Sequence, residues 1–150
     1  MNWGTGSLVF VRDIRAIVLN MRAYSERILD GYNLGLPEKL ILRYLADSGD
    51  VNQETIATQL VFDKSSVAKS IVKLEEQGLV QRCVDEQDRR SKVVRLTERA
   101  SEAVDEIFAA EEDYLTRVFR GMTQAEVKAY RESTTKLAQS SVAMLEGVSG

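Results

Sequence analysis

The chain has 150 residues, 44% of them hydrophobic, so it is long enough to bury a core and form one domain. Its 20 basic and 23 acidic residues give a net charge of -3, which taken alone argues weakly against a nucleic-acid partner. One cysteine excludes an intramolecular disulfide, and the absence of histidine disfavours most transition-metal sites. No apolar run approaches the ~20 residues that span a bilayer, and the first residues lack signal-peptide features, so we expect a cytoplasmic protein without membrane contact.

Two helices are predicted in the first third of the chain. From Leu8 to Leu29, apolar residues recur at intervals of three and four, which is typical of a long amphipathic helix. Gly31 and Gly35 interrupt this pattern. Pro37 suits the first turn of a second helix, which ends near the Ser-Gly-Asp sequence at 48–50.

The next two helices are short and lie close together. Asn52 is suited to cap a helix that carries Ile56 and Leu60, and Asp63 is suited to cap the following one. Gly78 can adopt the left-handed conformation that ends the second helix. Inside that helix three residues share one face and are predicted to pack inward: Val67, Ile71 and Leu74. Two short helices joined by so brief a turn predict a helix-turn-helix.

The outer face of the helix that follows Asp63 carries short hydroxyls and long cations. These residues are Ser65, Ser66, Lys69, Ser70 and Lys73. Hydroxyls near a helix N-terminus can donate to phosphates or base edges, and the helix dipole attracts anions. The pattern therefore predicts a recognition helix in the DNA major groove, although a solvated amphipathic helix would look the same in isolation.

A β-hairpin is predicted after Gly78. Residues Leu79–Val84 and Lys92–Leu96 have strand-like patterns, and the polar loop between them carries Arg89 and Arg90. An arginine at such a tip can enter a minor groove beside an occupied major groove, whereas the alternative is a solvated turn. Because the hairpin directly follows a helix-turn-helix, we interpret it as a DNA-binding wing.

Two more helices complete the chain. The first is predicted to start at a Thr97 cap and to reach about Arg120; it has six acids and no bases between Ser101 and Asp113, so it should lie away from DNA. Thr123 and Glu126 form a capping box that opens the last helix. Its apolar residues repeat at intervals of three and four, which suits packing against another helix.

The order of these elements resembles the MarR family of bacterial transcription regulators, over nearly the whole chain. The stretch DKSSVAKSIVKLEEQGLVQR resembles the family's recognition helix and first wing strand. The stretch DRRSKVVRLT matches its wing pattern D-x-R-x-x-x-V-x-L-T through Asp88, Arg90, Val94, Leu96 and Thr97. By this resemblance Asp88 braces the wing, while Arg90, with Arg89, enters the minor groove.

The resemblance implies a mainly α fold with a small β-hairpin wing, in a single MarR-like domain over residues 1–150. It places a winged helix-turn-helix lobe at 36–97 and dimerisation helices at 8–29 and 98–145. It also implies an obligate homodimer whose two lobes face one double-stranded DNA, often with a ligand pocket between lobe and dimer region.

We therefore expect a sequence-specific transcription regulator, a repressor that binds a pseudo-palindromic operator and is released by a small-molecule effector. A pocket for an aromatic acid could be lined by Tyr24, Tyr44, Arg15 and Arg43, although at helical spacing such residues are more often scaffold or solvated surface. The family's peroxide sensors carry a cysteine near the start of the first long helix, and this chain has none there. Cys83 is therefore predicted to pack rather than to sense oxidants.

The sequence does not predict an enzyme or a bound cofactor. It has no nucleophile elbow, no phosphate-binding glycine loop and no carboxylate pair that spacing would bring together. The alternative function is a winged-helix protein-interaction module without DNA binding, which would use the acidic helix at 102–113 as its contact surface.

Overall fold

The computed structural model describes residues 6–28, 32–84 and 92–148. In chain order, these residues form α1 (Gly6–Ile28), α2 (Leu36–Ser48), β1 (Val51–Asn52), α3 (Gln53–Leu60), α4 (Lys64–Glu76), β2 (Val80–Val84), β3 (Lys92–Leu96), α5 (Ala100–Val118) and α6 (Gln124–Val148). The predicted fold class, mainly helical with a small sheet, is confirmed. The chain divides into two compact units at the boundary between Tyr114 and Leu115.

The predicted caps fix the bounds of the two short helices. The Asn52 side chain accepts a hydrogen bond from the Thr55 N–H at 2.7 Å, and α3 begins at the next residue. The Asp63 carboxylate likewise accepts from the Ser66 N–H at 2.8 Å at the start of α4. Gly78 has a φ of 70°, so a residue without Cβ turns the chain away just after α4 ends.

Thr97 does not cap α5, contrary to the prediction. The helix begins three residues later, after a turn in which the Ala100 N–H donates to the Thr97 carbonyl at 3.0 Å. The Thr97 hydroxyl instead donates to the Gly78 carbonyl at 2.6 Å. Thr97 therefore joins the end of β3 to the end of α4.

The three strands form an antiparallel sheet in the order β1-β3-β2. The hairpin predicted from the sequence is β2 paired with β3, with Cys83 opposite Val93. The extended residues before α3 add a third strand, in which Val51 lies opposite Val94 and Asn52 opposite Val93. The loop at 85–91, with Asp88, Arg89 and Arg90, lies outside the described residues.

The core of the first unit brings together α2, α3, α4, α5 and the sheet. Its largest fully buried side chains are Ile41, Leu42, Leu45, Ile56, Val67, Ile71, Leu74, Val94 and Ile107. The three inward residues predicted for α4 are all among them. Because their burial fixes which side of α4 faces the core, it also fixes which side faces outward.

Helix α1 differs from the helices of this core. Most of its large apolar side chains are exposed: Leu8, Val9, Phe10, Val11, Ile14, Ile17, Val18 and Leu19. Nearer its C-terminal end, α1 contacts α5. The Tyr24 hydroxyl donates to the Asp113 carboxylate, the Tyr24 and Tyr114 ring centroids are 5.4 Å apart, and the Tyr114 hydroxyl donates to the Ile17 carbonyl at 3.4 Å.

The second unit holds the last turn of α5 and the whole of α6. Gly121, with a φ of 93°, separates the two helices, and the predicted capping box opens α6. In that box the Thr123 N–H donates to Glu126 at 2.7 Å, and the Glu126 N–H donates back to the Thr123 hydroxyl at 3.3 Å. The Phe119 and Tyr130 ring centroids are 5.5 Å apart. In the described ranges, no helix combines the length and hydropathy that a bilayer crossing requires.

Candidate nucleic-acid interface

The outward side of α4 presents Ser65 and Lys69 to solvent. Both side chains are exposed, one helical turn apart. Lys69 makes no ion pair with any described residue, so its ammonium is available to an external anion. Two of the five residues predicted for the outer face are therefore exposed there.

Ser66 has a more restricted role than its sequence position indicates. Its hydroxyl donates to the Asp63 carboxylate at 2.5 Å, in addition to the backbone bond that caps α4. The bonds from Ser66 hold the pKa of Asp63 below its ordinary value. Because its one proton is already donated, the Ser66 hydroxyl can only accept from a base and cannot donate to a phosphate.

Ser70 is buried, which corrects its assignment to the DNA-facing set. Its hydroxyl donates to Glu38 Oε1 at 2.6 Å, on the inner side of α4. Ser70 follows Val67 by three residues and precedes Leu74 by four, so it lies beside the apolar stripe rather than opposite it. That spacing was readable from the sequence.

Glu38, which was not predicted as a site residue, lies beneath Ser70. Its carboxylate accepts from the Gly35 N–H at 2.7 Å, and its Oε2 lies 3.6 Å from the Lys73 ammonium. A Cβ at position 35 would come within 2.7 Å of Glu38 Oε2, so the glycine leaves room for the carboxylate to fold back. Lys73 therefore lies at the edge of the outer face, with its charge balanced from below.

A second ion pair links the starts of α3 and α4. The Lys64 ammonium pairs with the Glu54 carboxylate, but both side chains are largely exposed, at 75% and 71%. The Lys64 contact keeps the pKa of Glu54 below its ordinary value. An exposed pair of this kind exchanges readily with water and salt, unlike the partly buried pair at Glu38.

The base of the hairpin is tied to its surroundings by two arginines. Glu75 of α4 accepts from the Arg82 backbone N–H at 3.2 Å and from its guanidinium at 2.5 Å. The Arg95 Nε donates to Asp50, just before β1, at 2.7 Å. These contacts set the direction in which the hairpin leaves α4. Cys83 is a half-buried free thiol on β2.

Two of the residues proposed for an effector pocket bind carboxylates of α5. Arg43 stacks on the Phe108 ring, 3.7 Å from its centroid, and its Nε lies 3.2 Å from Glu111. Burial raises the pKa of Glu111. Tyr24 donates to Asp113, as described above. The other two residues differ: Tyr44 packs against the core, and Arg15 is exposed on α1.

No cluster of metal-binding side chains is found among the described residues. The geometry is that of a helix-turn-helix, α3 and α4, followed by a hairpin braced against it. A sequence model described as MarR family matches residues 32–91, from the approach to α2 through the hairpin loop. From α2 through the hairpin loop, the chain is similar to the MarR family.

Known relatives agree with this assignment. The HTH-type transcriptional regulator MgrA of Staphylococcus aureus is 29% identical over 107 residues, which cover 71% of each chain. The HTH-type transcriptional repressor IacR of Pseudomonas putida is 27% identical over 103 residues, covering 69% of this chain and 62% of IacR. The crystal structure of CouR from Rhodococcus jostii RHA1 bound to p-coumaroyl-CoA superposes with a TM-score of 0.77 at 25% identity, covering 83% of this chain and 88% of CouR.

This MarR-like chain is a DNA-binding transcription regulator and not an enzyme. Its α3 and α4 form the helix-turn-helix, with α4 as the recognition helix, and β2 and β3 form the wing. DNA binding replaces the alternative of a winged-helix interaction module that does not bind DNA. MarR-family regulators bind DNA, often as dimers, and some bind small-molecule effectors.

Proposed function

We propose that this protein is a repressor that binds a pseudo-palindromic operator as a homodimer, with α4 in the major groove and the wing in the adjacent minor groove. The observation that carries the proposal is the outer side of α4, where Ser65 and the unpaired Lys69 are exposed while the inner side is fully buried. Ser66 contributes an acceptor, and Lys73 lies at the edge of this surface.

The wing supplies the second contact in this proposal. Arg90, with Arg89, binds in the minor groove, where recognition depends on groove width and charge rather than on a unique base pattern. Asp88 braces the loop. The Glu75 contact to Arg82 supports this arrangement because it links the first wing strand to the recognition helix.

The homodimer is supported by the exposed apolar side chains of α1. Eight large apolar residues between Leu8 and Leu19 are 41–74% exposed, which is more apolar surface on one helix than a soluble monomer usually leaves open. Two-fold symmetry then requires inverted half-sites about 10 base pairs apart, centre to centre, so that both lobes face the same side of the duplex.

Repression follows from occupancy of the operator, since a dimer that covers a promoter excludes the polymerase. Such a regulator acts in the cytoplasm. The name of the repressor IacR supports this sign of regulation. CouR, crystallised with p-coumaroyl-CoA, supports release by a small aromatic effector. In this chain an anionic effector would compete with Glu111 for Arg43 and would disturb the contact between α2 and α5.

The test compares two variants on two kinds of DNA. A cognate site is first selected from a random duplex pool with the wild-type dimer, and binding to it and to unrelated duplex is measured over a range of salt. Lys69→Ala should cost about 1 to 3 kcal/mol on the selected site and much less on unrelated duplex. Arg90→Ala should weaken both, with a salt slope lower by about one unit.

Lys136→Ala is the matched control, because it removes the same charge from an exposed position on α6, outside the DNA-facing elements, and sedimentation establishes that its dimer is intact. It should change neither affinity. Failure of the wild type to retard any duplex at low salt would contradict the proposal. Equal losses on both duplexes for Lys69→Ala would show that Lys69 only binds phosphate, and would leave base recognition to Ser65 and Ser66.

A further inference from the structure

Glu38 is a buried carboxylate whose partners connect two helices. Glu38 is only 7% exposed to solvent. One partner, the Gly35 N–H, lies at the start of α2, and the other two, Ser70 and Lys73, lie on successive inner and edge positions of α4. Glu38 therefore contacts the recognition helix at two points, one by a hydrogen bond and one by charge.

The burial of Glu38 gives its pair with Lys73 a different character from a surface pair. Burying a carboxylate costs folding free energy unless the group is hydrogen-bonded and paired. The Lys73 ammonium offsets that cost, so the carboxylate holds it in place. Lys73 is the cation at ion-pair distance from Glu38 among the described residues. Its side chain remains 38% exposed, so the duplex side of α4 is within its reach once the pair is broken.

We propose that Glu38 is a positioning residue for DNA recognition, which fixes α4 through Ser70 and holds the charge of Lys73 away from the phosphate backbone. This proposal rests on the proposed DNA contact of the outer side of α4. Phosphate contacts raise affinity for every sequence, whereas base contacts raise it for one. By engaging Lys73, Glu38 lowers sequence-independent binding and leaves Lys69, with the exposed Lys64 at the start of the helix, as the recognition-helix cations that can meet the DNA.

The decisive variant is Glu38→Gln. Glutamine is of similar size and still accepts a hydrogen bond, but it carries no charge to hold Lys73. The freed lysine should neutralise one more phosphate, so the slope of log affinity against log salt should steepen by about 0.9. On unrelated duplex the variant should bind more tightly than the wild type at low salt. Its advantage should shrink by about 3.5-fold as salt rises from ~50 to ~200 mM.

This outcome separates positioning of charge from ordinary structural support. Loss of a merely structural contact would weaken binding or stability and would not make the salt dependence steeper. The double variant Glu38→Gln with Lys73→Gln should return the slope to the wild-type value, since the freed charge is then absent. Glu54→Gln is the matched control: it removes an equal charge from the exposed pair with Lys64, and its slope should stay at the wild-type value.

Thermal unfolding and sedimentation of each variant establish that the dimer is intact. Should Glu38→Gln fail to fold, Lys73→Gln alone decides the matter: it should lower thermal stability, because a buried carboxylate loses its partner, without flattening the salt slope. A slope lower by about one unit in Lys73→Gln would overturn the proposal, because Lys73 would then bind phosphate in the wild type.

Three other results would also overturn it: an unchanged slope in Glu38→Gln, a slope that stays steep in the double variant, or an equal steepening in Glu54→Gln. These failures are distinguishable from failure of the proposed function. If the proposed function itself is wrong, the wild type binds no duplex, or Lys69→Ala leaves binding to the selected site intact.

Discussion

The helix-turn-helix lobe buries its apolar side chains, whereas helix α1 exposes most of its own. In the lobe, the inward residues of α2, α3 and α4 are fully buried within one chain. In α1, large apolar side chains from Leu8 to Leu19 face solvent. The difference indicates that the lobe buries its own core, whereas the exposed apolar side chains of α1 are the ones assigned above to the proposed dimer interface.

The first prediction concerns the closed core. Ile71→Ala should lower the free energy of unfolding by about 2 to 5 kcal/mol, because a fully buried side chain leaves a cavity among its neighbours. Its neighbour Val72 is exposed on the same helix, and Val72→Ala should cost less than about 1 kcal/mol. Denaturant unfolding at a fixed protein concentration measures both. Equal losses would remove the distinction between the two sides of α4.

The second prediction concerns the open surface of α1. Ile14→Glu places a carboxylate in the proposed dimer interface, and should weaken dimerisation by about 3 kcal/mol, roughly 100-fold in Kd. Sedimentation at several concentrations measures the shift. Gln81→Glu adds the same charge to exposed strand β2 and should leave the dimer intact. A wild-type chain that is a stable, cooperatively folded monomer at micromolar concentration would contradict the proposed dimer interface on α1.

The third and smallest effect lies at a strained point within the lobe. Val61, in the turn between α3 and α4, has φ 56° and ψ 42°, a left-handed conformation that a β-branched residue rarely adopts, and its side chain is 70% exposed. Val61→Asn should raise the free energy of unfolding by about 1 kcal/mol, since asparagine tolerates this conformation. Val72→Asn, at a helical position, should give no gain. A Val61→Asn chain no more stable than the wild type would show that the turn carries no strain.

Local features of this fold were predictable because they involve groups a few residues apart. Asn52 and Asp63 each cap a helix through an N–H three residues on, and Gly78 supplies a positive φ just after α4. The hydrophobic spacing of α4 identified its buried side correctly. The same spacing, applied more strictly, would have placed Ser70 inside.

Contacts between distant residues were not predictable in this way. Glu38 and Ser70 are 32 positions apart, and only the packing of α2 on α4 brings them together. The Thr97 hydroxyl could have capped the helix that follows it, or bonded to a distant partner. In the folded sheet it donates to the Gly78 carbonyl, 19 positions away. The wing-tip residues Asp88, Arg89 and Arg90 lie outside the described residues, so their roles stay predictions.

Asn52 belongs to two elements at once. Its backbone lies opposite Val93 in the sheet, while its side chain caps α3 through Thr55. Opening the wing far enough to separate β3 from β1 would therefore also loosen the first turn of α3, and fraying of that turn would remove support from the wing. The wing and the helix-turn-helix should consequently exchange their amide hydrogens as one cooperative unit, and motion of the wing should reach α3 through Asn52, in addition to reaching α4 through the contact between Glu75 and Arg82.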